Sequence, residues 1–113
     1  MKKNDSLVYL YGFSLRSSYK LENLLKILKE QSKNHINIIY VLIHDAVIGT
    51  SKKSLIPPSL VELLNLPMTI YVMIPDLLAR GIDPTNLRNN IKAIGYEELV
   101  DILANTSNIV SWI

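Results

Sequence analysis

The sequence predicts an α/β fold built on a five-stranded, mainly parallel sheet, and three observations predict it. Short apolar runs alternate with segments of helical period, the pattern of strands joined by helical crossovers. Two of the runs, residues 36–43 (I-N-I-I-Y-V-L-I) and 68–74 (M-T-I-Y-V-M-I), are almost uninterrupted and rich in β-branched and aromatic side chains, as strands covered on both faces are. The second run meets Pro75, which cannot donate to a ladder but can open a helical turn.

Residues 7–11 form the first expected strand, and residues 12–18 the loop that leaves its carboxyl end. Leu21, Leu24, Leu25 and Leu28 then recur at i, i+3, i+4 and i+7, which predicts an amphipathic helix over about residues 19–33, with Asn34 as its end signal. Residues 36–43 are the second strand, central by their apolar continuity. Ser59 and Glu62 have capping-box spacing after Pro57-Pro58, so a short helix is expected over residues 59–65. The third strand, residues 68–74, runs into a helical turn over 75–79. Asp76 there suits the positive end of the helix dipole, and Gly81 suits a left-handed position after its last turn. Residues 82–90 are a polar connection turning at Asp83-Pro84, and residues 91–94 the fourth strand. Tyr96, Leu99, Val100 and Leu103 keep helical spacing and are expected to face the core. Residues 108–112 close the sheet as the fifth strand.

A chain of 113 residues, 49% of them hydrophobic, fits one domain over residues 1–113 with a real if small core. Its net charge of +2 is spread among acidic residues, so direct nucleic-acid binding is not expected. Lys52, Lys53 and Arg88 are scattered cations of the kind that mark solvated loops, and Tyr9, Tyr11, Tyr40 and Tyr71 read as strand packing. The 113 residues contain no cysteine, which excludes thiolate metal sites, disulfides and thiol nucleophiles within them. No metal site and no cofactor are expected. Residues 1–6 are polar and the next apolar run is broken by Gly12 and Ser14, so neither a signal peptide nor a membrane span is expected and the cytoplasm is the expected compartment.

Ligands of open α/β sheets bind beyond the carboxyl ends of strands, and His44 and Asp45 stand at such an end. They suit a general base and its orienting carboxylate, provided the turn begins at His44, because adjacent residues of a strand point to opposite sides. The structural alternative is a polar strand end or an interface. Asp76 and Arg80, at i and i+4, can form a local ion pair that caps the short helix or shapes a binding surface. Ser17 and Ser18, beside Arg16 and ahead of the first helix, present backbone amides, but no glycine-rich phosphate loop accompanies them.

Asp76-Leu77-Leu78-Ala79-Arg80-Gly81, the acidic turn Asp45-Ala46-Val47 and Trp112 together resemble the DsrH/TusB family of sulfur-relay proteins, with Ala46 where glycine is usual. The resemblance runs from the first strand through Trp112. It implies a three-layer α/β/α, DsrE/F/H-like fold with strand order 4-3-2-1-5, whose switch point sets residues 12–18 beside Trp112 and Ile113. It also implies membership of a hetero-oligomeric relay passing persulfide sulfur between cysteines, for 2-thiolation of the tRNA wobble uridine or for sulfur oxidation. Where some family members carry a cysteine near the first helix, this chain has Tyr19 and Lys20. A persulfide carrier must attack through a thiolate and hold the sulfur on the same atom. The expectation is therefore a non-catalytic, non-enzymatic subunit supporting cysteine-bearing DsrE/TusD-like and DsrF/TusC-like partners. The alternatives are a stand-alone homodimeric ligand-binding protein and a small hydrolase or lyase using His44 and Asp45. A homodimer or hetero-oligomer is expected, contacting through apolar residues of the connections (Val47, Ile48, Leu55, Ile56, Leu66) and through Trp112. Candidate interface or pocket residues are thus Ser17, Ser18, His44, Asp45, Asp76, Arg80 and Trp112.

Overall fold

The computed structural model describes residues 6–12, 18–32, 37–52, 61–62, 68–106 and 108–112; within these, the side chains of residues 6, 18–21, 31, 32, 37 and 112 lie outside the description. The expected loop over 13–17 and most of the expected helix over 59–65 fall outside the described residues, although residues 61 and 62 are helical.

The elements run β1 (Ser6–Tyr11), α1 (Ser18–Ser32), β2 (Asn37–Leu42), a 3-10 helix (His44–Val47), β3 (Thr69–Met73), α2 (Ile74–Ala79), β4 (Ile91–Ile94), α3 (Tyr96–Ala104) and β5 (Asn108–Trp112). The strands form one sheet in the order β4-β3-β2-β1-β5. All its strand pairs are parallel, with Tyr9 opposite Tyr40 and Val110, Val41 opposite Tyr71, and Met73 opposite Ile94. An isolated antiparallel bridge, Ser51 to Leu87, ties the segment after the 3-10 helix to the connection before β4.

Alternation along each strand divides the core in two. Leu7, Tyr9 and Tyr11 of β1, Ile38, Tyr40 and Leu42 of β2, and Ile70 and Val72 of β3 point to one face, where Leu24, Leu25 and Leu28 of α1, Leu77 of α2, and Ala46 and Val47 of the 3-10 helix close over them. Val8, Val41, Met73 and Ile94 point to the other face, covered by Leu99, Ile102 and Leu103 of α3. The predicted leucine stripe of α1 is buried as expected over Leu24, Leu25 and Leu28.

Two expectations are corrected. Val47, expected on a contact surface, is fully buried, because the 3-10 helix curls it beneath the sheet's end together with Ala46. In α3, Tyr96 and Val100 are exposed rather than core-facing. The helix is rotated so that Ile102 takes the inward place expected of Val100.

Gly81 ends α2 as its sequence position suggests, with φ of 68°. The Ile82 N–H donates to the Leu77 carbonyl at 2.9 Å and the Gly81 N–H to that of Leu78 at 3.2 Å, the reciprocal pair of a Schellman C-cap. At the start of α3, the Glu98 carboxylate accepts from the Gly95 N–H at 3.2 Å. That is one half of a capping box, since Gly95 has no side chain to return the bond.

Candidate functional site

β2 and β3 are hydrogen-bonded neighbours, so the turns that leave their carboxyl ends emerge side by side. The 3-10 helix follows β2, and α2 follows β3 with Pro75 in its first turn, where the missing N–H costs no helical bond. These two turns bring together four of the residues singled out in the sequence.

Arg80, at the C-cap of α2, joins them. Its Nε and Nη2 both donate to Asp45 Oδ1, at 3.3 and 3.1 Å, and its Nη1 donates to the Asp76 carbonyl at 3.2 Å. The same Nη1 stands 3.7 Å from Asp76 Oδ1, which completes the i, i+4 pair read from the sequence. His44 Nδ1 lies 4.0 Å from Asp76 Oδ1, within ion-pair range but beyond a hydrogen bond. The guanidinium is therefore committed to joining the two turns and is not an open anion clamp. Asp45 is largely exposed and Arg80 only about a quarter so, and an ion pair of that kind contributes about 0.2–1 kcal/mol.

His44 opens the 3-10 helix with φ of 51°, a left-handed conformation that a non-glycine residue adopts at a cost. The turn thus begins at His44, the condition set for a His44–Asp45 pair. Their partners nevertheless differ: Asp45 turns to Arg80 and His44 to Asp76, and no hydrogen bond joins His44 to Asp45 among the described residues. The turn is anchored beneath by a bond from the Ile43 N–H to the Tyr11 carbonyl at 3.0 Å. The buried Thr50 hydroxyl donates to the Val47 carbonyl at 2.7 Å.

Of the other candidates, Trp112 lies at the carboxyl end of β5, beside that of β1. Trp112 pairs with Tyr11 in the ladder, so the chain leaving β1 at Gly12 starts beside Trp112, as the strand order implies. Ser17 and the Trp112 side chain lie outside the described residues. Ser18 is the first residue of α1, and its side chain too lies outside them. No group of three or more histidine, aspartate and glutamate side chains that could hold a metal occurs among the described residues. No helix among them is long and apolar enough to cross a membrane.

Beneath this rim, Tyr40 stacks on Tyr11 at 5.9 Å between ring centroids and tilts against Tyr9 at 6.2 Å. Burial raises the pKa of both Tyr11 and Tyr40 above the usual phenol value, with the neighbouring Tyr11 and Tyr9 adding to the effect on Tyr40. Sequence reasoning placed these rings in strands. Their mutual stacking follows from the register, which puts Tyr9 opposite Tyr40.

The sequence matches the family model described as "DsrH like protein" over residues 14–109. The chain belongs to the DsrH-like family. That makes it a member of a sulfur-relay family, as the motif around Asp76 and Arg80 implied. Solved structures agree on the fold of this DsrH-like chain. The ychN protein from E. coli is 18% identical, with a TM-score of 0.75 over 95% of this chain and 98% of that one. MTH1491 from Methanobacterium thermoautotrophicum, described as a protein of unknown function, is 14% identical, with a TM-score of 0.68 over 93% of this chain and 96% of that one. No curated protein matches the sequence.

Proposed function

We propose that this DsrH-like chain is a non-catalytic subunit of a sulfur-relay complex. It supports persulfide transfer carried out by a cysteine-bearing partner of the DsrE/TusD or DsrF/TusC kind, in tRNA wobble-uridine 2-thiolation or in sulfur oxidation. One observation carries the reading: a member of a sulfur-relay family has no cysteine in its 113 residues. Sulfur is relayed as a persulfide by thiolate attack on the donor's outer sulfur, which leaves the sulfur bonded to the attacking atom. No side chain here can take that part. The chain's contribution is then surface and position. The rim formed by His44, Asp45, Asp76 and Arg80, together with the sequence candidates Ser17, Ser18 and Trp112, is the candidate place where a partner or its sulfur-bearing loop is received, in a cytoplasmic homodimer or hetero-oligomer.

In the hydrolase or lyase alternative His44 and Asp45 would act apart, because they engage different partners on α2, Asp76 and Arg80. The test is direct. The purified chain is incubated with a persulfide donor, alone and together with a cysteine-bearing relative from the same genome, and intact masses are taken without reductant. The expected result is added sulfur on the relative only, with both chains eluting together. A stoichiometric, reductant-labile gain of sulfur on this chain would overturn the reading.

A further inference from the structure

The two edges of the sheet are β4 and β5, and their backbone groups differ in how they are satisfied. The Ile43 N–H donates to the Tyr11 carbonyl, which turns the peptide groups of Tyr11, and at the two-residue period those of Tyr9, toward β2. Those of Val8 and Leu10 therefore point toward β5. Val8 stands opposite Ile109 and Leu10 opposite Ser111, so the slanted bonds of the parallel pair run to Asn108, Val110 and Trp112. The N–H and C=O groups of Ile109 and Ser111 are left pointing outward, with no strand beyond them among the described residues.

β4 is guarded as natural sheet edges are. Its outward Ile91 N–H is taken by the Arg88 carbonyl at 3.3 Å, Asn90 bends the chain before it with φ of 74°, and Lys92 puts a charge on the strand. β5 has none of these devices. From Ile102 to Ile113 the sequence contains no charged residue, proline or glycine. Asn108, Ile109 and Ser111 are exposed, Ile109 by 47%.

β5 is also complementary to itself. An antiparallel copy related by a two-fold axis through Val110 sets Ile109 against the second Ser111, and Ser111 against the second Ile109, so that the outward groups meet in reciprocal hydrogen bonds. The two Ile109 side chains then share one sheet face, diagonal to each other, where each covers apolar area that the other leaves exposed. No like charges are brought together. Lys92 is on the opposite edge, about 19 Å away at a strand spacing of about 4.8 Å. The carboxylates of Glu97, Glu98 and Asp101 belong to α3, which packs on Val8, Val41, Met73 and Ile94 of the other four strands. A strand without charge offers nothing to select a foreign partner, whereas its own copy matches it residue for residue.

We propose that β5 is a self-pairing edge: two copies of this chain join antiparallel through residues 108–112, and one continuous sheet runs through both. The proposal goes beyond the relay reading and does not depend on it, since a non-catalytic subunit can support a partner with or without a second copy of itself.

The full chain is followed by light scattering with size exclusion over about a hundredfold dilution. The expected species has twice the chain mass and dissociates as it is diluted. Residue-resolved amide exchange locates the contact: Ile109 and Ser111 are protected in the concentrated sample and exchange freely in the dilute one, while Val110, bonded to β1, is protected in both. The chain has no cysteine, so Val110→Cys gives a cross-link that reports this contact alone. Across the axis the two residues form a non-hydrogen-bonded pair with Cα atoms about 4.5 Å apart, within disulfide reach, and a mild oxidant should yield a reductant-labile dimer. Ile109→Pro removes an outward N–H and no ladder bond, so it should keep the fold by circular dichroism and weaken self-association by at least about tenfold. Lys92→Ala, on the other edge, should leave the dimer unchanged. A chain that is monomeric at every concentration overturns the proposal. So does a dimer whose Ile109 and Ser111 amides exchange freely, that Val110→Cys does not cross-link, or that a folded Ile109→Pro leaves intact. Each of these failures leaves the sulfur-transfer test of the relay reading untouched.

Discussion

The α1 face of the sheet and the α3 face carry the same kinds of apolar side chain, and the chain encloses them to different degrees. On the α1 side, Tyr9, Tyr11, Tyr40, Leu42, Ile70 and Val72 are almost wholly out of solvent beneath Leu24, Leu28 and Leu77. On the α3 side, Val8, Val41, Met73 and Ile94 are buried, while Leu10, Ile39, Ile43 and Tyr71 are only partly covered. Strand order accounts for the difference. The chain steps β1 to β2 to β3 to β4 in one direction across the sheet and returns once, from β4 to β5. Crossovers between parallel strands are right-handed, so successive steps in one direction put their connections on one face and the return puts its helix on the other. Three connections thus share the α1 side, where α1, the 3-10 helix and α2 are seen to pack, and α3 serves the opposite side. Unequal enclosure is a consequence of the order β4-β3-β2-β1-β5 and needs no defect in the sequence.

The largest test of this contrast is a matched pair of truncations. Leu28→Ala removes a fully enclosed side chain and should lower unfolding stability by about 3 kcal/mol, within the usual range of about 2–5 for such cavities. Leu103→Ala removes the same atoms from a partly covered position on α3 and should cost about 1 kcal/mol, because less apolar area returns to water and solvent fills the space. Urea titrations read both from their midpoints at constant slope. Equal losses would break the comparison.

How much of this was legible beforehand depended on the range of the interaction. The buried strands, the leucine stripe of α1, the Gly81 terminus and the Asp76–Arg80 spacing are local patterns, and each could be read from a dozen residues or fewer. The Asp45–Arg80 bond spans 35 positions and exists only because β2 and β3 are adjacent, which no local pattern specifies. That adjacency followed from the family resemblance, whose strand order the structure bears out. Val47 was misplaced because an apolar residue in a connection looks the same whether it curls under the sheet or faces outward. Tyr96 and Val100 were misplaced because the apolar arc of α3 is wider than the sheet it covers. Tyr96, Leu99, Val100, Ile102 and Leu103 cannot all face inward, and the choice among them is made by the sheet beneath.

A second test lies wholly on the enclosed face. The Tyr40 hydroxyl is buried and has no hydrogen-bond partner among the described residues, so Tyr40→Phe should raise stability near neutral pH by up to about 1 kcal/mol. The alkaline response sharpens the point. Burial raises the folded-state pKa of Tyr40 well above 10.0, so the unfolded chain loses its phenol proton first as pH rises. Stability from this source is complete below about pH 10 and falls as pH climbs from there toward the folded value. Thermal melts of the parent should therefore drop through this range, and those of Tyr40→Phe should drop less. An unchanged alkaline limb would mean that the tyrosine face is more open to water than its burial indicates.

On the rim where the enclosed face ends, His44 offers a smaller difference. Its φ of 51° suits glycine, so His44→Gly should be more stable than His44→Ala by about 1 kcal/mol, the reverse of the order found at an ordinary helical or extended position. Both substitutions remove the imidazole that faces Asp76 at 4.0 Å, so the comparison isolates the backbone. Matching stabilities would show that the 3-10 helix relaxes without the strain.

The smallest stability effect is expected where the α3 face is most open. Val100→Ser removes apolar atoms from a side chain that is 62% exposed and touches little of the core, so unfolding stability should change by less than about 0.5 kcal/mol. Serine is a slightly poorer helix former than leucine or alanine but close to valine, so propensity adds nothing of consequence. A loss of stability near that of Leu103→Ala would place Val100 in the core and remove the unequal enclosure of the two faces.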